Sequence, residues 1–189
     1  MKRAIGFLFG AALLLGSAAG WAGSYSDTEA LFRNAGESGS FFQSSYGYAV
    51  FPTIGKGGLV VGGAHGSGHV YVHGKYVGNT SMNQVSIGFQ AGGQAYSQII
   101  FFEDKGAFDQ FTNGNFEFGA DVNAVAITAA AGGSVGTTGA SAEASGGKKD
   151  ARTAGKYYKG VAVFTIVKGG AMYQATVAGQ KFSYKPRAS

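Results

Sequence analysis

Residues 84–92 read Gln-Val-Ser-Ile-Gly-Phe-Gln-Ala-Gly, and apolar positions alternate strictly with polar or glycine positions. A period of two is typical of a β-strand with one buried face and one solvated face. The apolar positions, from Val85 to Ala91, are predicted to face a core, and Gln84 and its alternate neighbours are predicted to face water. Segments of similar character lie on both sides of this strand, so the chain is predicted to be rich in β-structure.

Further strands are predicted where aromatic and β-branched residues gather, at residues 48–54, 59–61, 69–73, 99–102, 116–122, 161–167, 171–177 and 181–184. Pro52 indicates an edge or a bulge, and Gly74-Lys75 is typical of a two-residue hairpin turn. A Ser26/Glu29 capping box predicts a short helix ending at Gly36, and Asp104 predicts a capped helix over 105–111. The predicted fold class is mainly β (α+β), a single compact domain of antiparallel hairpins with two or three short helices.

Composition limits the class of protein. The 189 residues include 34 Gly, 2 Pro and no Cys, and 45% are hydrophobic. A core can therefore form, whereas disulfides, cysteine metal sites and thiol nucleophiles are excluded. The net charge of +5 is too small for a dedicated nucleic-acid binder. The glycine-rich segment 132–147 is predicted to be a loop.

The N-terminus is typical of an export signal. Lys2 and Arg3 precede an apolar run over residues 4–16, and Gly20 and Ala22 fit a cleavage site. We therefore predict a signal peptide over residues 1–22 and a mature domain over residues 23–189. A membrane anchor is the weaker alternative, because the apolar run is short and ends in small residues.

Catalytic and metal-binding patterns are weak. His65, His69 and His73 lie four residues apart, and on a strand that spacing separates them by roughly 13 Å per step, too far for one metal ion. A turn at residues 66–68 would bring only His65 and His69 together, so at most a two-His site could form. A Gly-x-Ser-x-Gly match at 132–136 lacks a following helix pattern and a later His. We therefore predict no enzyme activity, no cofactor and no metal.

A basic and aromatic segment gives the clearest binding signal. Five cations oppose one acid, Asp150, within twelve residues, and two tyrosines lie among them: Lys148, Lys149, Arg152, Lys156, Tyr157, Tyr158 and Lys159. Cations with amphipathic rings suit a lipid headgroup layer. The alternative is a solvated loop that maintains solubility.

Two further lysines lie at equivalent positions of an internal repeat. Residues 49–58 and 162–170 both read as a strand followed by Lys-Gly-Gly, which places Lys56 and Lys168 at equivalent turns. We predict them as secondary lipid contacts, and two hairpins with the same turn chemistry are the alternative.

Four separated blocks resemble the SYLF domain family, namely residues 48–58, 62–68, 87–94 and 159–164. The resemblance extends from about Leu31 to Lys185. It implies a β-rich single domain that binds anionic phospholipids and has no known enzyme activity. The assignment of lipid contact to residues 148–159 comes from the charge pattern and not from the family.

The sequence therefore predicts an exported, non-enzymatic protein of the periplasm or outer-membrane periphery. Its expected partner is an anionic phospholipid surface, and nucleic acid is not expected. The alternatives are a small outer-membrane β-barrel and a periplasmic module that binds a protein partner.

Overall fold

The computed structural model describes residues 24–58, 61–87, 94–129, 135–136, 156–168 and 177–188. Three helices lie within them: α1 (Tyr25–Asn34), α2 (Phe41–Ser44) and α3 (Lys105–Thr112). The strands are β1 (Gly47–Gly58), β2 (Val61–Val72), β3 (Lys75–Ile87), β4 (Gln94–Phe102), β5 (Phe116–Glu117), β6 (Ala124–Ala129), β7 (Val135–Gly136), β8 (Val161–Lys168) and β9 (Gln180–Pro186). The predicted signal peptide, residues 1–22, lies outside the described residues.

The described strands join into one sheet in the order β5-β9-β3-β2-β1-β4-β8-β6-β7. Three strands separate β9 from β4 in this order, yet the side chains of Gln180 and Gln98 are hydrogen-bonded at 2.8 Å. The sheet must therefore curl far enough to bring β9 and β4 into contact across its concave face. The predicted β-rich α+β fold is confirmed, and one detail differs, because β6 runs parallel to β8.

In β3, Gln84 and Val85 face the opposite ways from those predicted. The side chains of residues 86–87 and all of residues 88–92, which complete the predicted strand, lie outside the described residues. Gln84 is only 6% exposed, whereas Val85 is 78% exposed. The prediction assumed a purely apolar core, but the concave interior contains buried amides. Gln84 donates from Nε2 to the carbonyl oxygen of Ala178 at 2.7 Å, so its burial is compensated.

Helices α1 and α2 cover the convex face of β1, β4, β8 and β6. Phe32 of α1 packs with Phe101 and Phe164 in one buried cluster, against which Phe41 of α2 also packs. Glu29 of α1 accepts a hydrogen bond from the Tyr48 hydroxyl at 2.9 Å. The convex face of β2, β3 and β9 is left largely open to solvent.

The predicted helix after Asp104 is confirmed. The Asp104 carboxylate accepts a hydrogen bond from the Ala107 amide at 2.8 Å, as an N-cap does. Phe111 then packs into the concave cluster beside Phe182. The first helix begins two residues earlier than the Ser26/Glu29 pattern predicts, because its N-cap is Ser24, whose hydroxyl accepts a hydrogen bond from the Asp27 amide.

The loops differ from prediction at two places. The β2–β3 turn is His73-Gly74 and not Gly74-Lys75, and both residues have positive φ, as a type I′ turn requires. Within the predicted 132–147 loop, β7 pairs with β6, and the rest of that loop lies outside the described residues. Pro52 marks a bulge in β1, which is an interior strand and not an edge.

Candidate functional site

The described part of the basic segment begins at Lys156. This lysine is exposed and forms no ion pair with any other described residue. Lys148, Lys149 and Arg152 lie outside the described residues. Lys156 lies just ahead of β8, at the end of the sheet that also holds Phe102 and the start of β1.

Lys159 is already paired with an acid. Its Nζ lies 2.7 Å from Asp121 Oδ2, and the Tyr158 hydroxyl donates to the same oxygen at 2.6 Å. The hydrogen bonds from Lys159 and Tyr158 lower the pKa of Asp121 to about 2. The charge of Lys159 is thus compensated locally, so it contributes less to long-range attraction than Lys156 does.

The two tyrosines of the segment pack inward. Tyr157 lies against the cluster on the convex face, with its ring 5.0 Å from that of Phe41 in an edge contact. Tyr158 packs against the concave cluster and is held by Asp121. Both rings are half-buried. Insertion of either ring into a headgroup layer would first require these contacts to open.

Lys56 and Lys168 lie at the other end of the sheet. Lys56 pairs with Gln94 and Lys168 with Ala95, consecutive residues of β4, so the two lysines point to opposite faces. Burial lowers the pKa of both ammonium groups, and Lys168 donates to Thr53 Oγ1 at 3.1 Å. The eight residues of β8 span about 23 Å, so the structure does not bring this pair to the Lys156–Lys159 end.

The histidines are held by separate neighbours. His65 Nδ1 lies 2.8 Å from Asn83 Oδ1, whereas His69 stacks on the Tyr25 ring at 3.4 Å. His73 lies in the β2–β3 turn. Across the described residues, no three His, Asp or Glu side chains are placed to hold a metal ion.

A polar network crosses the concave interior, where sequence reasoning expected only apolar contacts. Gln180 accepts from Gln98 Nε2 at 2.8 Å and donates to the Tyr96 hydroxyl at 3.0 Å. All three side chains are at most 1% exposed. Burial raises the pKa of Tyr96, which keeps its hydroxyl neutral. This network joins β9 to β4 and closes the curl of the sheet.

A shallow cleft lies on the open convex face of β2, β3 and β9. Its volume is about 350 Å³, and polar side chains from all three strands line it together with Tyr25 of α1. The lining includes Ser67, Asn79, Ser81, Ser183 and Lys185. Sequence reasoning missed this site because the residues come from strands distant along the chain, and only the cross-strand register brings them together.

The comparisons with known proteins point to one family. Residues 83–188 match the family model described as Ysc84: Las17-binding protein actin regulator. The chain is also 31% identical over 154 residues to Beta cell expansion factor A of Aeromonas veronii, which covers 80% of this chain and 51% of that protein. The chain therefore spans about half the length of the curated relative it matches. No helix among the described residues is long and apolar enough to cross a membrane.

Proposed function

This chain belongs to the Ysc84 (SYLF) family, and on that premise we propose that it binds anionic phospholipid membranes as a non-enzymatic protein. Its contact surface in this proposal is the basic segment with Lys148, Lys149, Arg152 and Lys156, bordered by Tyr157, Tyr158 and Lys159. The end of the sheet at which Lys156 lies is called the basic end. The supporting observation is Lys156, an exposed cation without an ion partner in the described residues, which continues a segment carrying three more cations.

We propose further that the protein acts after export, in the periplasm or at the periphery of the outer membrane. The N-terminal 22 residues have the charged start, apolar run and small residues of a cleaved signal. Export would bring the mature domain to membranes that carry anionic lipids.

The two ends of the sheet are too far apart to act as one contact surface. Lys56 and Lys168 are about 23 Å from the basic end, farther than the Debye length of about 8 Å at physiological salt. Both ammonium groups are also partly desolvated. We therefore assign the main attraction to the basic end and a secondary contact to Lys56 and Lys168.

The experiment is flotation of residues 23–189 with phosphatidylcholine vesicles, with and without phosphatidylglycerol, at low and high salt. Each cation near an anionic surface contributes about 1 kcal/mol. The double variant Lys148→Gln/Lys149→Gln is therefore expected to lose about 30-fold in partitioning. The matched control Lys105→Gln/Lys181→Gln removes two cations that already have acid partners and is expected to lose less than about 3-fold.

Three results would contradict the proposal. Equal binding to neutral and anionic vesicles would remove the electrostatic mechanism. Equal losses in the double variant and its control would remove the basic end as the contact. Absence of binding to either vesicle would favour a protein partner, the kind of ligand that the family description names.

A further inference from the structure

The open convex face of β2, β3 and β9 carries a regular polar array. Cross-strand register aligns Ser67 with Ser81 and Ser81 with Ser183. A second row, two residues away on each strand, consists of His69, Asn79 and Lys185. Adjacent strands are about 4.8 Å apart, so each row is about 10 Å wide.

Tyr25 forms one wall of the cleft over this array. Its ring stacks on His69 with an interplanar angle of 3°, which fixes the ring beside the second row. The resulting volume of about 350 Å³ falls at the lower end of the range for small-molecule sites. A compact ligand of roughly sugar size therefore fits the cleft.

Two groups in the second row of the cleft, the Asn79 amide nitrogen and the Lys185 ammonium, can only donate hydrogen bonds. Asn79 Oδ1 already accepts from the Tyr76 hydroxyl at 2.9 Å, so its amide nitrogen remains available to donate. Lys185 has three donors and forms no ion pair with any described residue. Among the described residues, no carboxylate lines the cleft. A donor-only amide nitrogen beside a cation suits an oxyanion such as a phosphate group.

The serine row supplies the complementary part of the site. The Oγ atoms of Ser81 and Ser183 lie 2.6 Å apart, so one donates to the other and the second hydroxyl hydrogen remains free. Ser67 is exposed on the same row. Hydroxyl groups that both donate and accept suit the hydroxyls of a polyol.

We propose that this cleft binds a small phosphorylated polyol, with its phosphate at Lys185 and Asn79 and its hydroxyls along Ser67, Ser81 and Ser183. The site differs from the basic end of the sheet and does not depend on the membrane function proposed above. A soluble sugar phosphate and a phosphorylated lipid headgroup share this chemistry.

The test is a titration of ¹⁵N-labelled residues 23–189 with glucose 6-phosphate, glucose and inorganic phosphate, followed by amide chemical shifts. Glucose 6-phosphate is expected to give saturable shifts at Ser67, Asn79, Ser183 and Lys185. Its affinity is expected to exceed those of glucose and of inorganic phosphate by about 10-fold or more, because it uses both rows.

Paired variants distinguish binding in the cleft from a general effect of surface charge on affinity. Asn79→Asp keeps an acceptor for Tyr76 but replaces the amide donor with an anion, and Lys185→Gln removes the cation. Each is expected to weaken glucose 6-phosphate binding by about 10-fold or more. Asn83→Asp and Lys181→Gln make the same changes on the same strands and face, outside the cleft lining, and are expected to change affinity less than about 3-fold.

The outcomes are distinct from those of the vesicle experiment. Absence of saturable shifts at the cleft, or equal losses in the cleft variants and their controls, would overturn the proposal. Competition by glucose 6-phosphate against phosphatidylglycerol vesicles would identify a headgroup as the source of the ligand. Saturable cleft shifts without competition would identify a soluble ligand, and they would remain observable even if the protein bound no vesicle.

Discussion

Replacing Gln180 with Leu should destabilise the fold strongly, although Leu is close to Gln in size. The substitution removes hydrogen bonds at 2.8, 3.0 and 3.1 Å that join Gln180 to Gln98 and Tyr96. The Gln98 amide and the Tyr96 hydroxyl oxygen then remain in a site at most 1% exposed. A buried polar group without its partner costs about 1–3 kcal/mol, so the free energy of unfolding should fall by about 2–6 kcal/mol.

The assay is equilibrium urea unfolding of residues 23–189 at 25 °C, followed by circular dichroism. A loss of this size is a large share of the roughly 5–15 kcal/mol that stabilises a typical domain. The slope of the unfolding free energy with urea should stay unchanged if the curl of the sheet persists. A lower slope would indicate that the contact between β9 and β4 has opened.

The double variant Gln98→Leu/Gln180→Leu provides the control for this reasoning. Removing both partners leaves only the Tyr96 hydroxyl without its donor, so the double variant should be more stable than Gln180→Leu alone by at least about 1 kcal/mol. If the effects of the two single substitutions simply add, Gln98 and Gln180 do not stabilise one another. A loss below about 0.5 kcal/mol in Gln180→Leu would equally refute the argument.

Two further predictions concern an ion pair and a close backbone contact. The pKa of Asp121 is lowered to about 2, so the stabilisation it gives is complete above the unfolded value of 3.8 and is lost as pH falls towards 2. Replacing Asp121 with Asn should therefore make the free energy of unfolding less dependent on pH between 3.8 and 2. An unchanged pH dependence in Asp121→Asn would contradict this. At Gly66 an added Cβ would lie 2.6 Å from Ile54 Cγ1, so Gly66→Ala should cost about 1–3 kcal/mol in urea unfolding. Gly57→Ala, which meets no atom within 4 Å, should be close to neutral, and equal losses at both positions would refute the packing argument.

Local sequence signals predicted the elements that depend on local physics. The Asp104 cap, the bulge at Pro52 and the fully apolar strand at 99–102 all follow from residues within a few positions of one another. The apolar strand is buried on both faces because its residues serve both core clusters. Such features need no information about distant parts of the chain.

The faces of β3 could not be predicted in the same way. Alternation identified the strand, but the choice of buried face rested on hydropathy alone, which favoured Val85 over Gln84. The burial of Gln84 depends on the Ala178 carbonyl, which lies far along the chain. A polar interior satisfied by long-range partners reverses the usual rule that the apolar face is inside.

The same limit applies to the candidate sites. The basic segment could be recognised because its five cations lie within twelve residues of one another, whereas the ion pair of Lys159 with Asp121 could not. The cleft left no sequence signal, since Ser67, Ser81 and Ser183 are isolated serines in a chain rich in small residues. Their alignment arises from the register of β2, β3 and β9.

The helices cover only one part of the convex face, and the uncovered part carries the cleft. Helices α1 and α2 bury the convex side of β1, β4 and β8, where the strands carry Val50, Phe101 and Phe164. The neighbouring strands β2, β3 and β9 carry mainly serine, asparagine and lysine on that side, with the exposed Val85 as an exception, so most of it needs no helix to cover it. If these side chains served only to face water, they would need only to be polar. The oriented Asn79 amide and Lys185, which has no ion partner in the described part of the chain, lie beside the Tyr25 wall as a directed set of donors. Those donors are what the glucose 6-phosphate titration tests.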